Sequence, residues 1–173
     1  MASANQNSCD SRAIQALTSL DDRGQALQIL LSDRLARFRL VPGAVLDIPQ
    51  IQVEPRQIVD VCKVVKDDPS LDFNMLLCLM AIDYRKHFQV AYVLLSLRHE
   101  QKLFIKADLP YDEPKLQSVT SIWRAAEWYE REAHDLFGIL FTGHPDLAPL
   151  LLYEGFEGFP GRKEFPFHDY QEY

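Results

Sequence analysis

A chain of 173 residues, 47% hydrophobic and 25% charged, has the length and composition of one domain able to bury a core without metal or crosslinks. Its formal net charge of -7 argues against a nucleic-acid surface, which needs clustered lysine and arginine to meet phosphates. The three scattered cysteines form neither a disulfide framework nor a metal-ligand cluster, and no apolar run approaches the roughly 20 residues that cross a bilayer.

In chain order, residues 1–24 mix polar groups with a few apolar ones, lack the pattern of a signal peptide, and are expected to form a mobile segment that includes Cys9. Leu27, Leu30, Leu31, Leu35 and Phe38 then repeat at helical spacing, and Pro42-Gly43 interrupts the stripe. A short extended run follows over 48–53. Pro55 is placed to open a second helix, whose apolar side carries Ile58, Val61, Cys62 and Val65 before Asp67-Asp68-Pro69-Ser70 stops it. Cys62 reads as core on that helix, and Cys78 does so within the apolar run 75–82.

The period changes in the middle of the chain. Runs 73–83, 89–97 and 102–109 predict three sequential strands, with turns at Arg85-Lys86 and His99-Glu100. In the last run Leu103, Ile105, Ala107 and Leu109 alternate with Lys102, Phe104, Lys106 and Asp108, which gives one apolar side. The fold class is therefore α+β, without the glycine fingerprint of a dinucleotide fold.

Residues 110–117 connect this sheet to a charge-laced helix, whose apolar side carries Ile122, Ala125, Ala126, Tyr129, Ala133, Leu136 and Phe137. Glu127 with Arg131, and Arg131 with Asp135, stand four apart, and Glu130 sits one turn before His134. Three readings fit: a solvated face, an interface or buried ionic network near Trp123 and Trp128, or a catalytic patch. The tail, 142–173, is broken by prolines and glycines, yet holds Leu150, Leu151, Leu152, Tyr153, Phe156, Phe159, Phe165, Phe167, Tyr170 and Tyr173. Such a tail is expected to lie ordered across a surface and to meet a partner.

Catalytic patterns are scarce. His87, His99, His134, His144 and His168 fall in no metal-ligand spacing, Ser, His and Asp occur without a nucleophile elbow, and the glycines of 155–161 lack a phosphate loop's lysine and hydroxyl. His134 beside Asp135 could move a proton, but adjacent helical residues point apart, and a structural histidine fits better.

The run Glu130-Arg131-Glu132-Ala133-His134-Asp135-Leu136-Phe137-Gly138-Ile139, then Phe141-Thr142-Gly143-His144-Pro145-Asp146-Leu147, resembles the signature of the 30 kDa subunit of respiratory complex I. That family supplies the C-type subunit of bacterial NADH:quinone oxidoreductases and the J-type subunit of the cyanobacterial and plastid enzymes. Residues 122–128 and Gly158-Phe159-Pro160-Gly161-Arg162-Lys163-Glu164-Phe165-Pro166 extend the likeness, which covers about 25–168 and is most specific beyond 118. The chain departs from the usual pattern at Ala148-Pro149, where the family tends to place an arginine, and at Phe156, where it often has tryptophan.

The resemblance implies a two-layer fold: helix, two strands, helix, three strands in a mixed sheet, then the charged helix and an extended tail. Its domains would be a 30 kDa subunit-like unit over 25–141 and a partner-binding tail over 142–173, without fusion to a D-type subunit. It implies a non-redox, peripheral-arm structural subunit of a proton-translocating oxidoreductase, with no catalytic, cofactor or metal residue of its own. Iron–sulfur clusters and quinone would lie in partner subunits, with NADH and flavin in an NADH module. Implied partners are the large quinone-site subunit (D type), the terminal-cluster iron–sulfur subunit (B type), the I-type subunit and the membrane arm, in a hetero-oligomer without nucleic acid. The expected location is the cytoplasmic face of the membrane, or the matrix or stromal side in an organelle. Interface or structural roles fall to Glu130, Arg131, Glu132, His134, Asp135, Gly138, Gly143, His144, Pro145, Phe156, Phe159, Arg162, Lys163 and Phe165. The alternatives are the equivalent subunit of a nickel-iron hydrogenase or of a ferredoxin- or F420-linked dehydrogenase and, in a different class, a freestanding hydrolase using Glu130, Glu132 or His134.

Overall fold

The structure, a computed structural model, describes residues 20–166. Cys9, Phe167, His168, Tyr170 and Tyr173, and all but the end of the 1–24 segment, lie outside the described residues. Helix α1 spans Asp22–Arg34, and the Asp21 carboxylate caps it by accepting from Gly24 N at 2.7 Å. Its stripe buries Leu27 and Leu31 and runs on past the helix end, where Leu35 is also fully covered. Strands β1 (Leu40–Val45) and β2 (Ile48–Val53) form a hairpin. Pro42 and Gly43, expected only to interrupt the helix, thus lie inside a strand. The physical reason is position: β1 is the sheet edge, where a residue without an N–H leaves no ladder bond broken.

A short 3-10 turn, Pro55–Gln57, leads into α2 (Ile58–Asp67), which buries Ile58, Val61, Cys62 and Val65 as its spacing predicts. Strands β3 (Met75–Asp83), β4 (His87–Ser96) and β5 (Gln101–Pro110) follow as an antiparallel meander. Strand β5 also pairs in parallel with β2, which closes a mixed five-stranded sheet in the order β1-β2-β5-β4-β3. Register aligns Ile51 with Ile105, Tyr92 with Ile105, and Leu94 with Leu103, so one face presents a continuous apolar surface. Helices α1 and α2 cover that face, with Phe73, Phe88, Tyr92 and Ile105 fully buried between the layers. Cys78, expected in the core, is only half-buried on outer strand β3.

Two further strands, β6 (Lys115–Gln117) and β7 (Leu140–Thr142), form a small parallel sheet that brackets helix α3, Ala126–Phe137. Ile122 and Ala125, expected on the helix, belong to the turns before it. Trp123 is buried and donates its indole N–H to Phe73 O at 3.1 Å, while Lys66 Nζ donates to Ile122 O. Helix α3 runs along β3, where Tyr129 Oη donates to Leu77 O at 2.9 Å beside the irregularity between Leu76 and Cys78. This places the charged helix at the outer strand of the main sheet, with its far side turned toward the tail.

Candidate interface built by the charged helix and its tail

The ion pairs that the spacing along α3 allows do not form: among the described residues no ion pair joins Glu127 to Arg131, Arg131 to Asp135, or Glu130 to His134. Four of these side chains, Arg131, Asp135, Glu130 and His134, reach off the helix to backbone instead. Arg131 donates from Nε to Ala148 O at 3.0 Å and from Nη2 to Pro149 O at 2.9 Å, with its guanidinium over the Trp128 ring at 5.3 Å. A single oxygen of Asp135, Oδ2, accepts from the consecutive amides of Leu150, Leu151 and Leu152 at 3.2, 2.8 and 2.9 Å. Burial raises the Asp135 pKa, but those amides and nearby His134 outweigh it and hold the carboxyl below its ordinary value. The physical reason for the switch is that backbone donors and acceptors left free by an irregular tail are stronger partners than exposed side-chain charges, whose pairs contribute about 0–1 kcal/mol.

Glu130 points the other way, into the domain. It is 0% exposed and accepts from Val119 N at 2.8 Å through Oε1, while Oε2 has no partner. Burial pushes its pKa up to about 7 against the opposing effect of the Ser118 hydroxyl and the Val119 amide. The fully buried Cys62 thiol and Tyr92 hydroxyl belong to the same apolar interior: burial raises both pKa values, and the Glu130 charge adds to each. Glu132 stays exposed on the helix surface.

The end of α3 is a tight junction. Gly138 adopts φ 73°, and a Cβ there would lie 2.6 Å from the Phe159 ring. His134 donates from Nδ1 to Ile139 O at 2.9 Å, bracing the chain as it leaves the helix. His144 donates from Nε2 to Glu127 O at 3.1 Å and accepts from Asp146 N at Nδ1, so it clips the start of the tail to the start of the helix. Gly143 turns the chain in open space, and Pro145 is exposed.

After residue 155 the tail returns to the domain. Gly161 N donates to Leu136 O at 2.9 Å, and Arg162 Nε donates to Phe137 O at 2.8 Å. The Arg162 guanidinium sits in an aromatic box, over Phe159 at 4.6 Å, Phe88 at 5.2 Å and Tyr111 at 5.6 Å. Lys163 N donates to Asp83 Oδ2 at 2.8 Å, while Lys163 Nζ lies 6.0 Å from the Tyr84 ring. Asp83 is buried, which raises its pKa, but the Lys163 and Arg85 amides bring it below its ordinary value. Phe165 stacks near Phe156 at 6.0 Å, and Phe156 meets Tyr153 edge-on at 5.3 Å.

The structure thus brings Arg131, His134, Asp135, Gly138, His144, Phe156, Phe159, Arg162, Lys163 and Phe165 together, while Glu130 serves the domain interior and Glu132, Gly143 and Pro145 face outward. Sequence reasoning missed Asp83, Phe88 and Tyr111, the receiving end for the tail; the only signal was an acidic residue opening the Tyr84-Arg85 turn. Among the described residues no three His, Cys, Asp or Glu side chains converge in a metal-holding group, and no helix is long and apolar enough to cross a membrane. A cavity of about 540 Å³ lies away from α3, between the start of α1 and the β4–β5 turn.

Residues 51–171 match the family described as the respiratory-chain NADH dehydrogenase 30 kDa subunit. The chain is 41% identical over 133 residues to the second of the C-type NADH-quinone oxidoreductase subunits of Rhizobium meliloti, covering 75% of this chain and 72% of that protein. It is 44% identical over 156 residues to the C-type NADH-quinone oxidoreductase subunit of a Methylobacterium, covering 85% and 71%. A solved trypsin-resistant fragment of Nqo5 superposes with TM-score 0.57 at 27% identity, over 70% of this chain and 98% of the fragment. A chain of the archaeal membrane-bound sulfane sulfur reductase shares the fold with TM-score 0.72 at 22% identity, over 84% and 86%. A mixed sheet, a charged helix that grips its own tail, and these likenesses lead to one conclusion: the chain belongs to the 30 kDa subunit family of the respiratory-chain NADH dehydrogenase and is one subunit of a multisubunit respiratory oxidoreductase.

Proposed function

We propose that the chain is a non-catalytic structural subunit of the peripheral arm of a proton-translocating NADH:quinone oxidoreductase. The observation that carries this reading is where the charges of the signature go. Arg131 and Asp135 are occupied by five backbone atoms of the tail, and Glu130 by the Val119 amide, rather than converging on a pocket where a substrate could react. Their work is to give the tail a shape. A tail fixed in advance loses less conformational entropy when a partner docks, so more of the contact energy appears as affinity.

In this role the large quinone-site subunit, the terminal-cluster iron–sulfur subunit, an I-type subunit and the membrane arm are the partners, and they hold the clusters and the quinone. The chain would reach the cytoplasmic face of the membrane through them. Relatives at 36–44% identity named as NADH-quinone oxidoreductase subunits favour this reading over a hydrogenase-type assembly. Affinity isolation of the tagged full-length chain from cells in mild detergent, with mass spectrometry of what accompanies it, tests the assignment. Recovery with quinone-site and iron–sulfur subunits is the expected result; recovery as a monomer would overturn it.

A further inference from the structure

We propose that the cavity between the end of α1 and strand β1 is a binding site for a small, neutral, ring-sized molecule that carries a hydroxyl, of the phenol class. The site shares no residue with α3 or the tail and stands apart from the assembly role. It arises from how two elements meet. Helix α1 stops at Arg34, and turns closed by Leu35 N to Leu31 O and Phe38 N to Leu35 O carry the chain to β1, where Pro42 stands opposite Ile51. The space left between helix end and strand is about 170 Å³. Its floor is the fully buried Leu35 and Ile51, and Phe38, Leu40 and Pro42, all half-buried, form its sides.

Size, charge and one unpaired group set the class of ligand. An apolar cavity on the order of 150 Å³ holds one benzene ring. No acidic or basic side chain lines this one, so nothing would offset the desolvation of an ion. The 540 Å³ cavity at the start of α1 differs in kind, being lined by Asp21, Arg23, Asp47, Glu100 and Lys102. The unpaired group is Gln28, which also lines the site. It is 7% exposed, and its Oε1 meets no hydrogen-bond donor among the described residues. Neighbouring Ser32 does not serve it, because its hydroxyl donates to the Gln28 backbone O at 2.9 Å. A buried carboxamide left short of a partner is costly. A hydroxyl both donates and accepts, so it satisfies the carboxamide in either orientation, while the ring fills the apolar space and ties α1 to the β1–β2 hairpin.

The test titrates phenol, and toluene with a methyl in place of the hydroxyl, into the full-length chain. Methyl NMR signals of Leu35, Leu40 and Ile51 report the site, and Ile139, beside α3, is the control. Expected is saturation of the three reporter signals by phenol, with a dissociation constant on the order of 1 mM, the scale for so few heavy atoms. Gln28→Leu removes an unpaired buried group and should melt no lower than the wild type; it should weaken phenol about tenfold and leave toluene unchanged or tighter. Ala36→Phe, a change at an exposed residue of the cavity mouth, should abolish the phenol response while the chain stays folded. Shifts that do not saturate in the wild type, phenol binding unchanged in Gln28→Leu, or a wild-type response in Ala36→Phe would each overturn the site.

Discussion

The sheet domain and the tail are held by different kinds of force, and their pH responses have opposite sign. In the domain, apolar side chains of α1, α2 and the sheet bury one another, and Glu130, a carboxylate sealed among them, is disfavoured as an ion. In the tail, Leu151 and Tyr153 remain exposed, and order comes from backbone groups bound by charged side chains of α3 and β3. There Asp135 and Asp83 are favoured as ions. One helix therefore faces two environments: its inward acid is pushed toward the neutral form and its tail-facing acid toward the charged form. The tail's path is written largely in residues that are not part of the tail.

The largest effect that separates the two regions belongs to Glu130. Its folded pKa of about 7 stands above the ordinary value of 4.5, so its contribution is fully present below about 4.5 and lost as pH rises through 7. That shift corresponds to about 3 kcal/mol, or roughly 6–12 °C in Tm. Glu130→Gln should therefore track the wild type at pH 5 and gain on it by about that amount at pH 8, by thermal melts across pH; parallel wild-type and variant profiles would break the account of the interior. Asp135→Ala comes next, releasing residues 150–152 at a local loss of about 2 kcal/mol, the scale for hydrogen bonds to a charged group. Here the sign reverses: a lowered pKa gives stability above the ordinary carboxyl range that is lost as pH falls through the folded value. Acidification should thus loosen the tail in limited proteolysis while the domain stays resistant.

The two glycines that turn the chain out of α3 and into the tail sharpen the contrast. Gly138→Ala combines a positive φ with a clash against Phe159 and should lose about 2 kcal/mol along with the Arg162 box. Gly143→Ala meets open space and should lose only the strain, about 1 kcal/mol, by denaturant titration. Arg131→Ala should have the smallest effect, below about 1 kcal/mol, because both of its bonds are exposed.

Elements whose side chains repeat with a period were legible in the sequence. The α2 stripe and the β5 alternation bury the residues their spacing selects, while of the apolar side of α3 Ala126 and Ala133 are buried and Tyr129, Leu136 and Phe137 half-buried. The two three-residue strands were not, since three residues carry no period, and β1 was hidden because Pro42-Gly43 signals a break unless the edge position is known. The signature marked the right helix but not its partners, because Arg131 and Asp135 bind carbonyls and amides, which every residue supplies without a side-chain signal. By the same token the residue types at 148 and 149 do not enter the clasp: only their carbonyls are held. Asp83 was invisible for the converse reason, being more than 70 residues from the amide it receives.

The most direct test of the central claim, that the domain itself shapes the tail, is amide hydrogen exchange on the isolated full-length chain at neutral pH. Slowed exchange is predicted at Leu150, Leu151, Leu152, Gly161 and Lys163, the amides bound by Asp135, by the Leu136 carbonyl and by Asp83. Exchange at those amides as fast as in an unstructured peptide, with strand β4 still protected, would contradict it.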